Sequence, residues 1–130
     1  MKAVPFTRVA GVKPVHQFLK NIGAPADRIA QKVGLSTAKF NCPDAFVPFF
    51  PARRFFGAAA RAAGAENLGA VVGLSAPIWD LGAYGSALRR SATLYDVMLS
   101  AVRLVRRFSS AYRLWIREDG DRLWFCERFV

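Results

Sequence analysis

Residues Trp79 to Phe129 read WDLGAYGSALRRSATLYDVMLSAVRLVRRFSSAYRLWIREDGDRLWFCERF. Within this stretch Thr93-Leu94-Tyr95-Asp96 has the composition of a helix start. The Thr93 hydroxyl can accept from an amide three residues on, and the Asp96 carboxylate suits the positive end of the helix dipole. Leu94, Val97, Met98, Ala101, Val105 and Phe108 then fall on one stripe, and Arg103, Arg106 and Arg107 occupy the last turns, where cations are favoured. From Tyr112 to Arg117 apolar and polar residues alternate, Asp119-Gly120 is a hairpin turn signal, and Arg122 to Phe129 returns. A two-residue turn at Asp119-Gly120 predicts Ile116 opposite Leu123 and Leu114 opposite Phe125 on one side. On the other side it predicts Trp115 opposite Trp124 and Arg113 opposite Cys126. Both sides carry large apolar groups, and a lone hairpin is marginal in water. The hairpin is therefore expected to belong to a small antiparallel sheet that is cut short within this chain.

Upstream the pattern is helical. Pro14 suits a first turn, Val15, Phe18, Leu19 and Ile22 recur on one face, and Gly23 supplies a cap. A second short helix opens at Pro25, carries Ala26, Ile29, Ala30 and Val33 on one face, and closes at Gly34. Ser36 to Phe40 reads as one further turn before Asn41-Cys42-Pro43-Asp44 breaks the chain. Ala45 to Phe50 is apolar with Pro48 inside it, so it reads as an edge or a bend. Pro51 to Ala63 forms a helix with Phe55, Phe56, Ala59 and Ala63 inward and Gly64 as its stop, and Glu66 to Gly73 forms a short one through Leu68, Val71 and Val72. Ser75 to Gly85, rich in Gly, Pro and aromatics, reads as a loop carrying Trp79 and Tyr84. The fold class is thus α+β, with a mostly helical N-terminal part followed by the hairpin.

Composition bounds the function. At 130 residues with a 53% hydrophobic fraction the chain makes one folded domain and is not disordered. No run approaches the ~18–20 apolar residues of a membrane span, and residues 1–11 lack the apolar centre of a signal peptide. Cys42 and Cys126 lie far apart and, with a single histidine, make no zinc site; they are expected as reduced thiols in a cytoplasmic protein. The net charge of +10 is compatible with nucleic acid, acidic lipid or an anionic effector, but the basic residues are spread along the chain and select none of these.

No catalytic constellation is visible, and the chain reads as a non-enzyme without metal or cofactor. His16 stands beside a core stripe, far from any nucleophile motif, and is expected on the helix surface. Asp80, Asp96, Glu118, Asp119 and Asp121 show no paired general-acid spacing. Gly82-Ala83-Tyr84-Gly85 lacks the Lys-Ser/Thr that follows a phosphate loop.

Leu19-Lys20-Asn21-Ile22-Gly23, Phe46-Val47-Pro48, Ala65-Glu66-Asn67-Leu68-Gly69 with Val72-Gly73-Leu74, and all of Leu81 to Phe129 carry a resemblance by their order and spacing. In these segments the chain resembles the N-terminal effector-binding domain of AraC/XylS-type transcription regulators, in the branch described as arabinose-binding-like. The resemblance implies a regulatory domain that binds a small effector and touches DNA only through a C-terminal pair of helix-turn-helix units. On this reading residues 1–130 are an incomplete regulatory domain without that DNA-binding half, and a homodimer is expected, with no membrane partner. The loop between Val33 and Phe46 is long for the family. Effector pockets are apolar with a few placed polar groups, which makes Trp79, Tyr84, Trp115 and Trp124 the candidate ligand-binding residues; the alternative for each is plain core.

A second reading competes. Asp27 to Phe40, DRIAQKVGLSTAKF, mimics a helix-turn-helix, with Gly34 at the turn and Phe40 as an anchor, and would make the chain a small basic DNA-binding module using residues 27–40. Against it, Cys42-Pro43 ends the second helix too early for a major groove.

Overall fold

The computed structural model describes residues 3–129. Met1, Lys2 and Val130, which fall within the expected domain, lie outside them. The described residues form six helices and two antiparallel sheets of two strands each, an α+β architecture with the hairpin at the C-terminal end.

The first sheet pairs β1 (Phe6–Arg8) with β2 (Phe46–Pro48), Thr7 lying opposite Val47. Between them a 3-10 turn at Val9–Gly11 leads into α1 (Lys13–Asn21) and α2 (Ala26–Lys32). Pro14 sits in the first turn of α1, where its missing N–H costs no intrahelical bond. Val15 and Leu19 are buried there, whereas Ile22, expected on the same face, is exposed past the helix end. Residues 35–45 make turns and no second helix, with Leu35 and Phe40 buried in the core. The segment that mimics a helix-turn-helix thus packs inside the domain and has no recognition helix to offer a groove.

α3 (Phe49–Ala63) starts directly after Pro48, two residues before the expected start, because Pro51 is tolerated in a first turn. It buries Phe49, Ala52, Phe55 and Ala59 and ends on Gly64 in the left-handed conformation. α4 (Leu68–Ser75) buries Leu68 and Val72. Val9, Val12, Leu19, Leu35, Phe55 and their neighbours form one core between α1, α2, α3 and α4, the elements in contact there. Burying each such side chain stabilises the fold by roughly 1.5–3 kcal/mol relative to exposure.

His16 departs from expectation. It is buried, only 6% exposed, and its Nε2 meets Asp27 Oδ1 at 2.7 Å. The ring stands edge-on to Phe40 at 4.9 Å between centroids. A histidine can occupy that apolar site because the α2 carboxylate satisfies one ring nitrogen. The pair ties α1 to α2.

Ser75 to Gly85 is not a loop throughout. Ile78–Asp80 is a 3-10 turn, and α5 spans Gly82–Arg89. Asp44 holds the start of α5, its Oδ1 accepting from the Ala83 N–H at 3.0 Å. Gly85, expected at the end of that loop, is instead a contact residue: a Cβ there would lie 2.3 Å from the Ile78 carbonyl oxygen. α5 can cross the 3-10 turn only with bare backbone at that point.

α6 (Leu94–Phe108) begins as expected. Thr93 Oγ1 accepts from the Asp96 N–H at 3.1 Å and donates to Asp96 Oδ2 at 2.9 Å. Ala101, Val105 and Phe108 are buried, while Leu94, at the open end of the stripe, is 76% exposed. The exit of α6 is sewn to the N-terminal strand. Phe6 donates its N–H to Ser110 Oγ at 2.9 Å, and Ser109 Oγ donates to the Phe6 carbonyl at 2.9 Å. Arg8 adds Nε–H to the Arg107 carbonyl at 2.9 Å and a further bond to the Asp44 carbonyl.

β3 (Tyr112–Asp119) and β4 (Arg122–Phe129) make the hairpin, but its register corrects the expected one. Asp119 pairs with Arg122, Trp115 with Cys126, Arg117 with Trp124 and Ile116 with Phe125. The turn residues are Gly120-Asp121, not Asp119-Gly120. Gly120 has φ +60° and among the described residues no non-glycine residue has positive φ, the pattern of a turn with glycine first. Each partner moves by two residues, so the faces survive while the opposed pairs change. The hairpin forms no wider sheet within the described residues.

Candidate functional site

Two clefts flank α4. The first, about 540 Å³, is walled by Val15 of α1, Phe56 and Ala60 of α3, Leu68 and Val72 of α4, and Ile78 of the 3-10 turn. Gly69 and Gly73, one turn apart on α4, also line it, and a Cβ at either would meet nothing within 4 Å. Glu66 is the only ionisable residue among the described ones in its wall. The second cleft, about 550 Å³, shares Pro14, Val72 and Ala76 with the first. It is the more polar of the two, with Lys13, Gln17, Asn21 and Asp80 in its lining, and Gln17 donates to Asn21 Oδ1 at 3.0 Å.

The four aromatic candidates lie elsewhere, and none lines either cleft. Trp79 stands in the 3-10 turn, 52% exposed, next to the cleft residue Ile78, with the Arg89 guanidinium 5.9 Å from its ring. Tyr84 braces α5 on α6. Its hydroxyl donates to the Ala101 carbonyl at 3.3 Å, and its ring lies 5.0 Å from that of Phe108. Burial pushes the Tyr84 phenol up to about 12, so it remains a neutral donor. Trp115 and Trp124 share the hairpin face that also carries Arg113, Arg117 and Arg128. They are 43% and 45% exposed, and Arg117 lies 5.6 Å from the Trp124 ring. The structure thus unites Trp115 with Trp124 on one face and leaves Trp79 and Tyr84 to separate tasks.

Among the described residues no group of three or more His, Cys, Asp or Glu is placed to hold a metal ion, and Cys42 and Cys126 are free thiols. No helix there is long and apolar enough to cross a membrane. What the clefts can do chemically is bind: one offers apolar walls, the other donors and acceptors.

A family model described as the arabinose-binding domain of AraC transcription regulator, N-terminal, matches residues 23–129. The chain belongs to this family. Its members are regulatory ligand-binding domains and not an enzyme family. No curated protein matches the chain. The matched span holds α2 to β4 and the α4 wall of both clefts, while the opposing residues of α1 precede it.

The sequence reading missed the clefts' residues. The helix expected over Glu66 to Gly73 contains both Gly69 and Gly73, but helix propensity says nothing of the space they leave. The one signal was their i, i+4 spacing in Gly69-Ala70-Val71-Val72-Gly73, which puts both on one side of a helix.

Proposed function

We propose that this chain is the sensory domain of an AraC-type transcription regulator, holding a small effector in the apolar cleft and relaying occupancy to a DNA-binding domain outside residues 1–130. The observation that carries the reading is the conjunction of the family match with a cleft in the 300–1,000 Å³ range typical of small-molecule sites. A ligand shifts such a regulator only through its different affinity for two states. The responding elements in this reading are residues 78–85 and α6. Ile78 and Leu81 stand in the cleft wall, Gly85 fits against the Ile78 carbonyl, and Tyr84 carries the contact to Ala101.

Of the four aromatic candidates Trp79 suits this reading best, as the neighbour of Ile78. Tyr84 serves in the relay. Trp115 and Trp124, with Leu123, Phe125 and Phe129 also largely exposed, supply apolar surface for a homodimer or for further sheet. The working compartment in this reading is the cytoplasm.

The test uses the full-length regulator and a panel of small metabolites. Compounds that raise the melting temperature of residues 1–130 should change the regulator's affinity for its operator in gel-shift titrations. A stabilising compound that leaves operator affinity unchanged at saturation argues against the relay.

A further inference from the structure

The cleft walled by α1, α3 and α4 has a one-sided chemistry. Val15, Phe56, Leu68 and Val72 make its sides apolar, and its only ionisable wall residue among the described ones is Glu66, a carboxylate. On α4 the two glycines face it with open space where side chains would stand. Their bare backbone leaves room in the cleft, and Ala60 and Ala76 add only short side chains to its wall.

We propose that this cleft binds a predominantly apolar small molecule that is neutral or carries one amine, with its ring or chain laid over Gly69 and Gly73 and its amine toward Glu66. The proposal rests on the sensory reading above and adds to it a place and a ligand class. An anionic ligand is disfavoured on two counts. It meets no cation among the described wall residues, and its charge would be brought toward the Glu66 carboxylate. A sugar is disfavoured because its hydroxyls would lose water against walls that return few hydrogen bonds. Lys13 and Asp80 belong to the second cleft, on the far side of Pro14, Val72 and Ala76.

Calorimetric titration of the chain with 1-naphthylmethylamine, 1-naphthylmethanol and 1-naphthoate separates charge from shape. The amine and the alcohol should bind, and the naphthoate should bind about fivefold or more weaker than the amine, the size of a favourable exposed ion pair. Glu66→Gln should bring the amine to the affinity of the alcohol and leave the alcohol unchanged. Gly73→Leu, which fills the space, should weaken the amine and the alcohol about tenfold or more without lowering the melting temperature. Naphthoate binding as tightly as the amine overturns the ligand class, and a folded Gly73→Leu protein that still binds the alcohol overturns the site. Absence of binding by all three probes does so too. The sensory reading is judged apart. A metabolite that stabilises wild type and Gly73→Leu alike removes this site and leaves the sensor standing, whereas cleft binding with no change in operator affinity does the reverse.

Discussion

Two glycines of this chain sit in helices and have opposite reasons to be glycine. Gly73 faces empty space, so Gly73→Ala replaces a poor helix former by the best one and should raise stability by about 0.5–1 kcal/mol in urea unfolding. Gly85 faces the Ile78 carbonyl and the backbone of Trp79, so Gly85→Ala forces α5 off the 3-10 turn and should cost about 1–3 kcal/mol in the same measurement. Equal effects from the two substitutions would contradict the packing described. The His16–Asp27 pair makes a second prediction. The hydrogen bond from His16 holds the Asp27 carboxyl below its usual range, so its contribution is present above the unfolded-state value and is lost as pH falls through the folded one. Asp27→Asn should therefore melt lower than wild type at pH 6, and the gap should close below about pH 4. A gap of the same size at pH 2.5 as at pH 6 would show that the carboxylate's charge is not what matters. Neither role was legible beforehand. Gly85 looked like a turn because glycine in sequence does not distinguish freedom from closeness, and His16 looked exposed because its partner arrives from another helix.

Among the elements, α6 was the most legible and the hairpin the most deceptive. The cap at Thr93 and the stripe ending at Phe108 are local signals, set by neighbours three and four residues away, and the structure forms both. Thr93→Ala should cost about 1 kcal/mol and loosen the first turn of α6, which hydrogen exchange at Val97 reads directly. Unchanged protection there would mean that tertiary contacts, not the cap, hold the turn. The hairpin register turned on one residue of turn chemistry. Asp-Gly and Gly-Asp are both present in Asp119-Gly120-Asp121, and the choice between them depends on which position takes the positive φ. Residues 82–85, the first half of α5, read as loop in the sequence, since α5 is secured by Asp44 from a distant break and not by a cap of its own. The clefts were least legible, because residues 11 to 81 converge on the first of them only in three dimensions.

Taken whole, the molecule consists of a helical body around one core and a hairpin that shows water much of its apolar surface. Leu123, Trp124, Phe125 and Phe129 are each between 45% and 50% exposed on one edge strand. Such an edge is a template for pairing. Sedimentation velocity across a range of concentrations should show reversible self-association, weakened by Phe125→Lys. A monomer at all concentrations would argue that the arginines on the Trp115 face keep copies apart. The two parts are joined through the bonds between Phe6 and Ser109 and Ser110, partners 103 and 104 residues apart in sequence. During synthesis at ~5–20 residues per second, Phe6 leaves the ribosome roughly 5–20 s before the serines that will bind it. The N-terminal strand must wait out that interval against β2 and α3, and a newborn chain is most open to chaperones and proteases until the seam closes.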